Sequence, residues 1–255
     1  EANFSLLKYL YISKGRFDTI REGSLIWQEI LHHIEAKKVI TSGVGVREGV
    51  FLHHFLKNEH LQFPKNVNPS IESIFDRFET QHVKASKRKE NTIKLFNLFV
   101  EHKVLENRYL QELLYAIELS TIGYRFNIYK SYEHSFYVTM QEFQYGVTHE
   151  ELVLTAMILR LGGKSLSEKE LYKKYKILLP KKGTLSFLSF IYTLTTTLYE
   201  KTALEEFNYS FQNNTLTIIA EGSLYLVKEA IKDIEKPKEI SIKIDDQEKI
   251  PDYNF

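Results

Sequence analysis

The chain has 255 residues, of which 43% are hydrophobic, so it can build a sizeable core and one or two domains plus an appendage. Lysine and arginine (34) nearly balance aspartate and glutamate (33), and a net charge of +1 excludes a nucleic-acid binder driven by bulk electrostatics. The absence of cysteine excludes disulfides, thiolate zinc sites and a cysteine nucleophile; no apolar run reaches the roughly 18 residues of a membrane span, and Glu1-Ala2-Asn3-Phe4 shows no signal-peptide pattern. A cytoplasmic location without membrane contact is the expectation. The chain starts at Glu1 with no initiator Met, as expected of a fragment or a processed chain.

Residues 4–12 and 19–35 carry apolar positions at helical spacing, among them Leu25, Ile26, Ile30, Leu31 and Ile34. Val39-Ile40-Thr41 is short, β-branched and bounded by Lys37-Lys38 and a glycine turn, which predicts a strand. The turn Ser42-Gly43-Val44-Gly45 follows, then Val46-Arg47-Glu48-Gly49 and an apolar run that reads as a helix. A strand-to-helix junction of this kind gathers backbone N–H groups and an arginine where an anion can sit. The same glycines equally serve a plain structural turn. This first stretch is too short for an independent α/β lobe and reads as the tail of one.

A loop of turn formers, Phe63 to Ser70, precedes a helix starting near Ser70. Helical periodicity then continues to about residue 200. Its helices are marked by Ile93 to Phe99, Leu110 to Leu119, Phe136 to Phe143 and Leu152 to Leu159, the last behind a capped start at Thr148-His149-Glu150-Glu151. A final helix, Leu185 to Leu198, is weakened by Thr195-Thr196-Thr197. The character then changes. Tyr209 to Phe211, the turn Asn213-Asn214 and Thr215 to Ala220 give a hairpin signal. A helix from Ser223 to Ile234 and a strand from Glu239 to Ile244 complete a small α/β cap with an expected antiparallel sheet.

The glycine turn has specific wording. Ser42-Gly43-Val44-Gly45-Val46-Arg47-Glu48-Gly49 resembles the "S-G-x-G-x-R-E-G" segment of the Ppx/GppA family, the exopolyphosphatases and guanosine pentaphosphate phosphohydrolases. Just upstream, Arg16-Phe17-Asp18-Thr19-Ile20-Arg21-Glu22-Gly23 is similar to the family's "R-x-D-x-I-x-x-G" helix start. The resemblance covers nearly the whole chain but only the C-terminal half or so of the family's architecture. It implies a mainly α fold with α/β pieces: the C-terminal tail of an actin-like (ribonuclease H-like) lobe over 1–55, an HD-like helical domain over 56–200 and a small α/β domain over 201–255. The phosphate-binding loops and the catalytic glutamate would lie in lobes outside the chain.

HD domains hold divalent metals with His and Asp side chains from neighbouring helices, which activate water against phosphoesters or anhydrides. The family's "L-H-D/E-x-G" falls on Leu119-Ser120-Thr121-Ile122-Gly123, with Ser120 and Thr121 in place of ligands. Its "H-x-H-S-x-Y" resembles Tyr132-Glu133-His134-Ser135-Phe136-Tyr137, where Tyr132 replaces the first histidine. Its "R-Y-H-R-K" falls on Arg160-Leu161-Gly162-Gly163-Lys164, with the central His and Arg lost. The departures all fall on ligand positions, so an HD-like scaffold without its metal centre is expected. His134 then reads as a hydrogen-bonded helix histidine. Within each pair, His32-His33 and His53-His54, the side chains point about 100° apart and do not chelate together; two pairs on separate elements could still meet, against the plainer reading of partly exposed helix histidines. Among standard motifs, neither Gly-x-Ser-x-Gly nor His-Glu-x-x-His occurs.

Lys84, Lys87, Arg88 and Lys89 form a basic cluster that could bind a polyphosphate chain by counterion release, against the plainer reading of a solvated helix face. The Lys169 to Lys182 cluster is partly compensated by Glu168 and Glu170 and ranks lower. Together with the resemblance, these residues predict a chain with no catalytic and no metal-ligating residue of its own. It would bind polyphosphate or guanosine pentaphosphate through Arg47, Lys84, Lys87, Arg88 and Lys89, with Gly43, Gly45, Glu48 and Gly49 forming the family turn. It would belong to a homodimeric hydrolase, with Mg²⁺ implied by the family for the whole enzyme. A non-catalytic regulatory or interaction module and an autonomous HD phosphohydrolase are the alternatives.

Overall fold

The computed structural model describes residues 12–60, 68–78, 85–162, 168–238 and 240–246. The chain divides after Gly45 into two compact units, Glu1–Gly45 and Val46–Phe255. Among the described residues the architecture is mainly helical with one three-stranded sheet.

In the first unit a 3-10 turn, Lys14–Arg16, leads into helix α1, Ile20–His33. Ile26, Trp27, Ile30 and Ile34 recur at spacings of three and four, which sets them on one face. No described residue of α1 is buried, and Trp27 is 64% exposed. The strand expected over Val39-Ile40-Thr41 does not form; these residues are irregular and Ile40 is 78% exposed. A strand satisfies its backbone groups only through a neighbouring strand. No described segment of this unit supplies one. The predicted helical spacing over residues 4–11 lies outside the described residues.

The second unit begins with α2, Val46–Phe55, the helix expected after the glycine turn. Helix α3, Pro69–Phe78, starts where the sequence puts it. Proline at its first position loses no hydrogen bond, and Asn68 Oδ1 caps it by accepting from Ser70 N (2.9 Å) and Ile71 N (3.2 Å). Helix α4, Ala85–Glu101, buries Leu95, Phe96 and Phe99 completely. Helix α5, Leu110–Glu118, runs directly into a 3-10 turn, Leu119–Arg125. Helices α6, Ser131–Glu142, and α7, His149–Leu161, follow. The expected cap of α7 is a full capping box: Glu151 N–H donates to Thr148 Oγ1 (3.2 Å) and Thr148 N–H donates to Glu151 Oε2 (2.6 Å).

The short helix α8, Lys169–Tyr175, precedes α9, Lys182–Lys201, which keeps its helical course through the threonine run. Thr195 is wholly buried there, and Thr196 Oγ1 donates back to Tyr192 O at 2.9 Å. Burial and local back-bonding outweigh the modest propensity cost of β-branched residues. Asn213 and Asn214, both at positive φ, turn β1, Asn208–Gln212, into β2, Thr215–Ala220. Helix α10, Tyr225–Lys232, then crosses back, and β3, Ser241–Asp246, joins β2 in parallel. The sheet order is β1-β2-β3 and the sheet is mixed rather than antiparallel throughout, because a helical crossover returns the chain in the same direction.

Phe211, Leu216, Ile218 and Ala220 bury the inner face of this sheet. Phe211 meets Phe99 of α4 edge to face, with ring centroids 5.2 Å apart. One hydrophobic core therefore continues from α3 through the helices into the sheet.

Candidate functional site

Arg47 and Glu48 occupy the first turn of α2. They line an open groove of about 460 Å³ with Phe51 and Leu52 of α2, Ser70, Ser73 and Arg77 of α3, and Glu142 and Tyr145. Local chemistry builds the far wall. Tyr145 N–H donates to Ser70 Oγ at 2.7 Å, and that hydroxyl donates to Tyr145 O, so α3 is stitched to the segment after α6. Arg77 forms an ion pair with Glu142 across the groove. Arg47 is exposed and makes no ion pair or hydrogen bond among the described residues. Its guanidinium is therefore free to take a planar oxyanion in bidentate fashion. The turn ahead of α2 is tied by Val44 N–H donating to Ser42 Oγ at 3.1 Å, with Gly43 and Gly45 flanking that contact. Gly49 sits within α2, and a Cβ there would meet nothing within 4 Å.

The cations predicted to form a row separate in space. Lys87 Nζ lies 3.4 Å from Glu206 and 3.6 Å from Glu90, and the hydrogen bond to Glu206 holds its ammonium pKa above the ordinary lysine value. Arg88 turns inward, donating from Nη1 to Ser120 Oγ at 3.3 Å and lying 5.7 Å from the Tyr199 ring centroid. Its Nε is buried without a hydrogen-bond partner among the described residues. Lys89 pairs with Glu118. Lys84 lies outside the described residues. Consecutive residues on a helix point about 100° apart, so each finds a different neighbour.

The segments matched to the helical domain do meet one another. Gly123 N–H donates to Ser135 Oγ at 3.0 Å, joining the Leu119–Gly123 segment to the Tyr132–Tyr137 segment. Arg160 pairs with Glu133 (3.0 Å) and Glu168 (2.8 Å) and stacks over the Tyr132 ring at 5.1 Å. The Cα of Gly162 lies under Tyr192, whose ring carbon would fall 2.2 Å from a Cβ at that position. Gly163 and Lys164 lie outside the described residues.

Around these contacts stand hydroxyls and carboxylates. Tyr124 OH donates to Glu200 Oε1 at 3.0 Å, and Asn91 Nδ2 donates to Tyr199 OH at 2.6 Å. Burial pushes the Tyr199 phenol up to about 12 and raises that of Tyr192 further, so both stay neutral donors. His134 stacks on Phe126, ring centroids 5.8 Å apart. Among the described residues no three His, Asp or Glu side chains gather as a metal site. His32 and His33 close α1, and His53 and His54 close α2. No helix among the described residues is long and apolar enough to cross a membrane.

Sequence reasoning singled out Arg47 but not its wall. Arg77, Ser73 and Tyr145 come from distant segments and carry no motif, so only the fold brings them to the groove. No protein-family model matches the chain, and no curated protein matches it.

Proposed function

We propose that this chain is a non-catalytic, anion-binding part of a Ppx/GppA-type phosphoanhydride hydrolase acting on polyphosphate or guanosine pentaphosphate. Residues through α2 would be the tail of an actin-like lobe, and α3 to α9 an HD-like scaffold. The observation that carries the reading is Arg47. The arginine of the "R-E-G" segment is the uncommitted cation of a groove that also presents Arg77, Ser73 and Tyr145. The contact between Gly123 and Ser135 supports it, because two segments matched separately in sequence lie against each other.

The chemistry falls to the catalytic lobes, where a glutamate would activate water and Mg²⁺ with backbone amides would neutralise the phosphates. In the helical segment Ser120, which stands at an expected ligand position, and Ser135 carry hydroxyls that are weak metal ligands and are engaged in hydrogen bonds. That argues against the autonomous HD phosphohydrolase. The exposed apolar residues of α1 favour the second reading, an interaction module, since a helix that buries none of its apolar stripe is suited to a partner surface.

The test is calorimetric titration of the intact chain with polyphosphate across a salt series. Arg47→Ala is expected to weaken binding about tenfold or more, the worth of one charge-assisted hydrogen-bond pair. Lys87→Ala with Arg88→Ala should matter less. Binding indifferent to Arg47 refutes the groove, and Mg²⁺-dependent phosphate release lost in His134→Ala refutes the non-catalytic assignment.

A further inference from the structure

A second cavity, away from Arg47, lies between α7, α8 and α9. Its floor is apolar: Met157, Leu161 and Leu185, each buried. Its rim is polar: Glu168, Lys169, Tyr172, Lys182 and Ser186. The space measures about 90 Å³. That is below the roughly 150 Å³ cavity known to hold benzene and well above the space one water needs, so it accepts an aliphatic group of about four heavy atoms.

The charge at its mouth is unbalanced. The one acid on the rim, Glu168, is already bound by Arg160 at 2.8 Å. Lys182 lies 5.1 Å from the Tyr172 ring centroid, a contact that leaves its ammonium net positive. Lys169 is exposed and has no carboxylate partner among the described residues. Tyr172, which lines the cavity, spends its hydroxyl on Pro180 O at 2.9 Å. The cavity also opens beside the start of α9, which has no side-chain cap and no acidic residue in its first turn. Lysines there work against the helix dipole unless an anion accompanies them.

We infer that this cavity binds a small monocarboxylate with a short branched aliphatic tail. The tail fills the space over Met157 and Leu185, and the carboxylate meets Lys182 and Lys169 at the rim. A longer chain exceeds the volume, and a bare inorganic anion leaves the apolar floor empty. The site owes nothing to the Arg47 groove and stands whether or not the chain belongs to a phosphoanhydride hydrolase.

The chain has two methionines, so the Met157 methyl group is a selective reporter and Met140 an internal control. The experiment is a titration of the methyl-labelled chain, followed by NMR, with isovalerate, isoamyl alcohol and inorganic phosphate in separate arms. Isovalerate should move the Met157 signal saturably and leave Met140 unchanged. The alcohol should bind at least tenfold more weakly, and phosphate should leave Met157 unmoved. Lys182→Met, a surface change that spares the floor, should weaken isovalerate about tenfold. Leu185→Phe should abolish the shift by filling the space. Equal affinity for acid and alcohol, no loss in Lys182→Met, or a silent Met157 in the folded wild-type chain would each overturn the assignment.

Discussion

Among the described glycines, Gly123 has the tightest surroundings for an added Cβ. A Cβ built there would lie 1.9 Å from the Ser131 carbonyl oxygen, 2.5 Å from Ser135 Oγ and 2.7 Å from the Ser131 carbonyl carbon. Two of these atoms are backbone, so no rotamer change relieves them. The start of α6 would have to retreat by about 1 Å or more in a core packed like an organic crystal. Overpacking of this kind costs about 1–3 kcal/mol. The retreat also breaks the buried hydrogen bond from Gly123 N–H to Ser135 Oγ, worth about 1 kcal/mol net. Gly123→Ala should therefore destabilise the chain by about 3 kcal/mol. Urea unfolding followed by circular dichroism reads this as a midpoint lowered by about 1 M at the denaturant sensitivity usual for small proteins. Adding Ser135→Ala removes the hydroxyl but leaves the Ser131 carbonyl, so it should restore less than half of the loss. A midpoint shift under about 0.3 M in the single variant, or full rescue by the second change, would refute the geometry.

At Gly49 the opposite holds: open space surrounds its would-be Cβ, so Gly49→Ala should stabilise α2 by about 0.5–1 kcal/mol and raise the thermal midpoint by about 2–4 °C. A lower midpoint would show that the space is not free. Burial lifts the Glu112 carboxyl pKa above the ordinary value, helped by nearby Glu151. The folded state then binds that proton more tightly, so its stabilising effect is full below the unfolded pKa and is lost as pH rises through the folded one. Glu112→Gln should gain stability relative to wild type as pH rises above the unfolded glutamate pKa of about 4, and a parallel pair of pH profiles would refute this. Asp246 runs the other way. The hydrogen bond from Lys228 (2.6 Å) and that from Leu224 N–H (3.2 Å) hold its carboxyl below the usual range. This contribution is present above the unfolded pKa and is lost as pH falls through the folded one, so Lys228→Met should flatten the acid limb of unfolding below about pH 4.

The elements legible in the sequence are those whose cause is local. Thr148 and Glu151 announce the start of α7 because a capping box is contained within four residues, and Asn213-Asn214 announces the hairpin because two adjacent positive-φ residues suffice. The helical periods of α4 to α7 held for the same reason. What failed depends on partners elsewhere. Val39-Ile40-Thr41 has strand composition but nothing to pair with among the described residues. The parallel entry of β3 is decided by the crossover of α10, not by any residue in β3. Helix α8 read as a charge cluster because its seven residues, Lys169–Tyr175, are too few to show a period.

Charge is where the sequence and the fold diverge most, and the divergence has a direction. Lys87, Arg88 and Lys89 stand together in sequence, yet in the fold they serve as three separate fasteners. Lys87 reaches Glu206 beside the sheet, Arg88 the 3-10 turn after α5, and Lys89 the end of α5. A cluster on a helix that packs on several sides is divided among those sides, and the acids met by Lys87 and Lys89 offset their charge. Arg47 is isolated in sequence but begins a helix whose neighbouring surface carries a groove, and it stays uncommitted there. Within that groove Arg77 is matched by Glu142, and Glu48 stands beside Arg47, so the lining as a whole is close to neutral. Affinity for an anion must then come from directed hydrogen bonds of one guanidinium and the nearby hydroxyls, not from a broad positive field. Under the proposed reading such a site would grip the end of a phosphate chain or a single phosphoryl group, and extending the chain beyond it would add little.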